Sequence, residues 1–330
     1  MACRAIDAAM DTDEEIRVRQ IRRIIFANEP DREHEFKLSE ESYNQLRTEF
    51  VKDEDDDTYP RLLYDWTRQV ITIVTAPTDL HEDTSSVILS SIYNRVTSIM
   101  QREQIELGSD ETLATIHSPT ILVDTGHSRY EMEPDGAIYF ETVDSRDYKV
   151  IIEVGVSQAY DSLLDNIDNT CDLVILLAFN EKHRYSAPRQ RIFLSPHESK
   201  AQVVQMRRHL RSPSYPKFRE LEFLGHIWFH ELSDAFIEVV RKAPSSDGRD
   251  DLMRSKYVLV ENGINKSSSV PRSIGNVRLA ELIPAVSHNT EETGNIIIDF
   301  FDSVTFLDII WRAMIANAVN RYKRAVKVRS

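Results

Sequence analysis

Pro134-Asp-Gly-Ala-Ile-Tyr-Phe-Glu141 and, a short turn later, Lys149-Val-Ile-Ile-Glu-Val154 are the stretches whose reading decides the fold. Both have the β-branched and aromatic content of strands, and Val143-Asp-Ser-Arg146 between them is turn chemistry. The pair predicts a β-hairpin. If it is symmetric about Asp144, Asp135 lies opposite Glu153, and both share a face with Ala137, Tyr139, Lys149 and Ile151. A one-residue bulge would change that register. Two carboxylates side by side repel each other unless a cation lies between them. Mg²⁺ suits such a pair, because it uses one or two carboxylates together with waters and a substrate phosphate. Glu153 carries the most weight. It interrupts a run of Val150, Ile151, Ile152, Val154 and Val156, and an ionised carboxylate there is costly unless paired or metal-bound. An edge-exposed or arginine-paired glutamate is the structural alternative. For Asp135 the alternative is strand-entry punctuation, since Pro-Asp-Gly is also a turn signal.

The order helix, strand, Pro-Asp, strand with an internal Glu, helix, strand resembles the PD-(D/E)XK nuclease-like superfamily, which includes the restriction endonucleases. Glu153-Val-Gly-Val-Ser-Gln158 followed by Leu163 looks like fungal members of that superfamily, as does Ala76-Pro-Thr-Asp-Leu-His-Glu82 opening a helix. The resemblance covers about residues 61–180. It implies an α/β fold with a restriction-endonuclease-like mixed central sheet flanked by helices, and a metal-dependent phosphodiester hydrolase ancestry. On that reading Asp135 and Glu153 hold Mg²⁺ or Mn²⁺, Gln158 orients a water, and Glu82 is an accessory acid on the preceding helix. A capping box with Asp79 explains Glu82 equally well, and His81 beside it reads as a surface or capping residue.

One departure matters. The superfamily pattern has a lysine two residues after the glutamate, where this chain has Gly155. Related fungal sequences carry a lysine early in the following helix, but the matching position here is near Ser162. Lys149 shares the predicted face of Glu153 yet lies about 13 Å along the strand, at roughly 3.3 Å per residue. The alternative to a nuclease is therefore a catalytically inactive scaffold that binds nucleic acid or a protein.

The net charge of −14 argues against general nucleic-acid binding, which relies on neutralising phosphates. The charge is uneven, however. Asp53-Glu-Asp-Asp-Asp57 reads as an acidic linker. Residues 181–219 instead concentrate Arg184, Arg189, Arg191, Arg207, Arg208 and Arg211 with four further cations, against Glu181 and Glu198. Such a segment suits a phosphate backbone; a solvated loop and helix accounts for it as well. A second basic cluster, Arg321-Tyr-Lys-Arg324 with Lys327 and Arg329, suits a helix C-terminus or a nuclear-import signal. The two cysteines, Cys3 and Cys171, give no disulfide framework, and no HxxxH or HxH pair suggests zinc. No run approaches the ~18 to 20 apolar residues of a membrane span. The start lacks a secretory core, so an intracellular location, cytoplasmic or nuclear, is expected. Self-association is compatible with all of this.

The patterning predicts helices over 14–25 and 39–50, the second capped by Ser39, then a strand or bent pair over 61–74 and a helix from Asp79 to about Met100. A strand at 118–123, a helix at 158–169 and a strand at 172–179 follow. Residues 223–229 and 235–240 read as a hairpin, with strands at 256–260, 277–283 and 295–300, and loops at 243–248 and 263–275. A last amphipathic helix presents Leu307, Ile310, Trp311, Met314, Ile315, Ala318 and Val319 to a core. The expected division is an acidic helical extension over 1–60, a core over 61–222 with a basic insertion at 181–219, and a C-terminal β-rich extension over 223–330 ending in that helix.

Overall fold

A computed structural model describes residues 13–27, 33–50, 60–74, 79–124, 126–156, 171, 173–183, 185–188, 192–243, 251–275, 277–283, 294–299 and 301–328. The expected linker at 53–57, the helix over 158–169 and the loop over 244–248 lie outside these residues. In chain order the elements are α1 (Asp13–Ala27), β1 (Glu33–Lys37), α2 (Glu40–Phe50), β2 (Arg61–Asp65), β3 (Val70–Val74) and α3 (Asp79–Arg102). Then come β4 (Thr112–His117), β5 (Ile121–Asp124), β6 (Arg129–Met132), β7 (Gly136–Glu141), β8 (Arg146–Val156), β9 (Leu173–Glu181) and β10 (Ile192–Leu194). The rest is α4 (Pro196–Leu210), β11 (Leu221–Phe223), β12 (His226–Phe229), β13 (Leu232–Ala243), β14 (Asp251–Glu261), β15 (Ile264–Asn265), several one-turn and two-residue elements, and α5 (Ser303–Ala325).

Two compact units result, residues 1–78 with 120–133 and residues 79–119 with 134–330. They cut across the division expected from the sequence. The first unit is an antiparallel sheet in the order β1-β3-β2-β6-β5, so residues 61–74 belong with the N-terminal helices. The hairpin of β5 and β6, drawn from between β4 and β7, belongs there too. Ser39 caps α2 as expected, its Oγ accepting from the Ser42 amide at 3.3 Å. Tyr43 stacks on Tyr64 at 4.5 Å between ring centres and donates its hydroxyl to Glu131 at 2.8 Å. Burial, with the Glu131 charge beside it, pushes the Tyr43 phenol well above its ordinary range.

The second unit is built on a seven-stranded sheet in the order β15-β14-β13-β9-β8-β7-β4. Neighbours are antiparallel except β8 and β9, which run parallel, so the sheet is mixed, as expected of this α/β chain. The 223–240 expectation is corrected. β11 and β12 form their own hairpin about Leu224 and Gly225, both with positive φ (54° and 71°) as a tight two-residue turn demands. β13 instead enters the central sheet between β9 and β14. The C-terminal half therefore continues the sheet. The segment 277–283 is also corrected: after Val277–Arg278 it forms a one-turn helix, Leu279–Leu282, and the three-residue spacing buries both leucines.

One sheet face, with Ile152, Val154, Ile175, Leu177, Ile237 and Val239, packs in a single core with α3 and α5. On α5 all seven expected apolar positions are buried. Asp302 caps that helix, accepting from the Val304 and Thr305 amides at 3.1 and 2.9 Å. Among the described residues no helix is long and apolar enough to cross a membrane.

Candidate functional site

The β7–β8 hairpin sets the geometry. Gly136 pairs with Ile152, Ala137 with Ile151 and Ile138 with Val150, after which Tyr139 pairs with Tyr148. These first three pairs are those of a hairpin symmetric about Asp144, whereas Asp135, in a bend one residue before β7, lies outside the paired register. Farther along, the symmetry fails. Lys149 is the extra residue of a bulge on β8, so Tyr139 and Lys149 do not pair across one face. The Lys149 ammonium is bound to Asp147. It does not stand in for the superfamily lysine.

Asp135 immediately precedes β7, and its side chain is only 13% exposed. Oδ2 accepts from the Val154 amide at 2.6 Å, and Oδ1 lies 3.1 Å from His81 Nδ1. A carboxylate only accepts, so Nδ1 carries the proton in that contact, and in the neutral ring the lone pair is then on Nε2. His81 sits in the first turn of α3, half-buried, and so the expectation of a surface or capping histidine is corrected. Glu82, the expected accessory acid, is exposed on the same turn, while Thr84 and Ser85 are the buried polar residues there. The sequence signal for His81 was faint. Leu80, Ile88, Leu89, Ile92 and Val96 mark the face of α3 that is buried, and His81 follows the first of them. Close packing of α3 completes the placement. A Cβ at Gly136 would collide with Leu89 Cδ1, so glycine is what lets the helix lie on the start of β7.

Glu153 is half-buried and heads a row across the sheet: it pairs with Leu176, Leu176 with Glu238, and Glu238 with Lys256. Residues paired in this way share a face. Glu238 is only 4% exposed, and its Oε2 is buried without a hydrogen-bond partner. Two strand spacings, about 9 to 10 Å, separate it from Glu153. Sequence reasoning missed Glu238, although it interrupts the apolar run Phe236–Val240 just as Glu153 interrupts its own.

β9 ends beside β8 with a different arrangement. Glu181, its side chain 3% exposed, takes both guanidinium nitrogens of Arg321, at 2.5 and 3.0 Å. It also accepts the His230 amide at 3.0 Å. Arg321 lies over the Tyr185 and Phe229 rings.

Of the remaining expected site residues, Gln158, Arg184, Arg189 and Arg191 lie outside the described residues. Arg207 and Arg208 on α4 and Arg211 at its C-cap are exposed. α4 packs against α5, β10 and the short strand Val326–Val328. Among the described residues, no three His, Cys, Asp or Glu side chains are grouped to hold a metal ion. By donor type, Asp135 and Glu153 are oxygen ligands of the kind a hard divalent ion takes with waters and phosphate oxygens, and are not those of a closed zinc site.

No protein-family model matches this chain, and no curated protein or solved structure matches it.

Proposed function

We propose that the chain is a PD-(D/E)XK-like, metal-dependent nuclease with a reduced catalytic set. The observation that carries this reading is that the Asp135 carboxylate is held on the Val154 amide, next in chain to Glu153, at the end of β8. The order α3, β4, β7, β8, β9 supports it, with an antiparallel run from β4 to β8 and then a parallel β9. The strand expected at 118–123 falls instead in the first unit as β5, with β4 in its place beside β7, and the helix expected at 158–169 lies outside the described residues.

In this reading Asp135 and Glu153 would hold Mg²⁺ or Mn²⁺, which when bound acidifies a water and offsets charge on the phosphate. The Val154 amide and His81 fix the Asp135 carboxylate from two directions. His81 holds its proton on Nδ1 toward Asp135.

The test is cleavage of labelled single- and double-stranded DNA and RNA with Mg²⁺ or Mn²⁺, comparing the natural chain with Glu153→Ala and Asp135→Asn. Metal-dependent cutting lost in both variants is the expected result. Cutting that survives both overturns it. The second reading, an inactive binding scaffold, draws on Gly155 in the lysine position and on Lys149 being held by Asp147. Mn²⁺ binding by calorimetry, without any cleavage, would favour that scaffold.

A further inference from the structure

The β11–β12 hairpin turns on an unfavourable residue. Leu224 and Gly225 form its two-residue turn with φ of 54° and 71°. Positive φ at both places favours Asn-Gly or Asp-Gly. A leucine is disfavoured at the first, because its Cβ crowds the neighbouring carbonyl oxygen. Its side chain is 61% exposed, so burial does not explain it either. Asparagine would serve the fold better. What Leu224 occupies is the rim of an open cleft of about 530 Å³, shared with Glu222, Tyr215, Pro216, Gln205 and His209. The walls of this cleft are fixed. The Tyr215 hydroxyl donates to the Glu220 carbonyl and accepts from the Glu222 amide, both at 2.9 Å. His209 meets the Tyr215 ring edge to face at 5.2 Å, and Gln205 stands one turn earlier on the same flank of α4. On the hairpin, the Trp228 indole N–H donates to the Phe223 carbonyl at 2.9 Å. Strand alternation buries Leu221 and Phe223 and turns Glu222 outward. A preformed concavity with apolar walls and few polar groups is the usual form of a binding site.

The lining selects its occupant by charge. Glu222 is exposed and is the one acid there, no lysine or arginine lines the cleft, and among the described residues Glu222 has no ion-pair partner. Neighbouring cations are committed elsewhere, Lys217 to Asp308 and Arg219 to Glu231. Arg207, Arg208 and Arg211 centre on the opposite flank of α4 from Gln205 and His209. An uncharged apolar ligand would desolvate Glu222 without giving it a partner, and an acidic one would be repelled. A basic side chain on an apolar stem satisfies both parts of the lining. Arginine suits it better than lysine, because a guanidinium lies flat on an aromatic ring while its fork engages a carboxylate.

We propose that this cleft docks a segment of a partner protein that presents an arginine beside an apolar residue, the guanidinium against Tyr215 and Glu222 and the apolar side chain on Leu224. It does not depend on the nuclease reading. The probe is N-acetyl-leucyl-arginine amide, titrated into the full chain and followed by NMR at the His209 ring and the Leu224 methyls. Saturable shifts at both are expected, and none with N-acetyl-leucyl-glutamate amide. Glu222→Gln should weaken binding of the arginine probe about two- to fivefold, the scale of an exposed ion pair, and the difference should shrink in high salt. Leu224→Asn separates docking from folding. Asparagine suits the turn, so the thermal melt should hold or rise, while the probe, read at His209, binds about fivefold more weakly for the lost apolar contact. A lower melt with unchanged binding would assign Leu224 to the fold and overturn the proposal. Equal binding of the glutamate probe, or no saturable shift, overturns it as well. Shifts at the same residues on concentrating the chain without probe would put a second copy in the cleft, and also overturn it.

Discussion

Glu181 and Asp135 stand near neighbouring strand ends of one sheet, and the protein holds them in opposite ways. Glu181 is locked. Both its oxygens face Arg321, a cation that does not lose its proton in proteins, and aromatic rings cover the guanidinium. Asp135 has a backbone amide and an imidazole, partners that respectively carry no charge and change charge near neutral pH. The first arrangement serves the fold. The second ties the carboxylate through an uncharged donor and an imidazole, contacts of a different kind from the guanidinium fork that holds Glu181.

The comparison is broken most directly through Arg321. Arg321→Ala strands Glu181 in a nearly closed environment, and a loss of about 3 to 5 kcal/mol is expected from urea unfolding. Asp135→Asn retains an acceptor for the Val154 amide, so its expected cost is about 1 kcal/mol. Equal losses in the two variants would mean that Asp135 is structural and that the contrast drawn here is wrong.

Next in size is Gly136→Ala. The added methyl meets Leu89, and overpacking of this kind typically costs about 1 to 3 kcal/mol. The displaced element is α3, which carries His81. The expected result is a moderate drop in stability together with a shifted His81 imidazole resonance by NMR. A stable variant with an unchanged His81 signal would show that the helix is placed by other contacts.

These placements explain what could be read in the sequence. The β7–β8 register over Gly136–Ile138 was legible because alternation and turn chemistry are local. The bulge at Lys149 was not, because one extra residue leaves no compositional mark. β9 and α5 were legible from unbroken apolar content and a helical stripe. The partner of β13 was not: pairing Ala235–Val240 with β9 requires the chain to bypass its own preceding hairpin, and sequence proximity favours that hairpin. His81 reached Asp135 through tertiary packing at Gly136, and no short pattern encodes that approach. Glu153 is legible as an acid within an apolar strand, and Glu238 carries the same signal in the run Phe236–Val240.

Glu238 sharpens the comparison from a third side. It is more buried than Asp135, yet its Oε2 has no hydrogen-bond partner. Glu238→Met removes a desolvated polar group at similar volume, and a gain of about 1 kcal/mol or more is expected in thermal or urea unfolding. A clear loss instead would mean that this carboxylate is held by an interaction worth more than its burial costs.

The smallest effect belongs to an ion pair of the same chemistry as Glu181–Arg321 placed in water. Arg272 bonds to Asp302 at 2.6 Å, and its side chain is 84% exposed. That bond, together with the Thr305 amide, holds the Asp302 carboxyl at about 2, below its ordinary value near 3.8. A folded-state value below the unfolded one means stability that is present above the ordinary value and lost as the pH falls toward 2. Solvent screens the pair, so the effect should be slight and should shrink further in salt. Asp302→Asn isolates the charge, because asparagine still caps α5 through its side-chain oxygen. The urea midpoint of the natural chain should therefore exceed that of the variant slightly at pH 5, and the difference should vanish near pH 2. A difference that persists at pH 2, or that resists high salt, would place this exposed pair in the same class as Glu181 with Arg321. Burial would then no longer be what separates the carboxylates that hold the fold from those left available for chemistry.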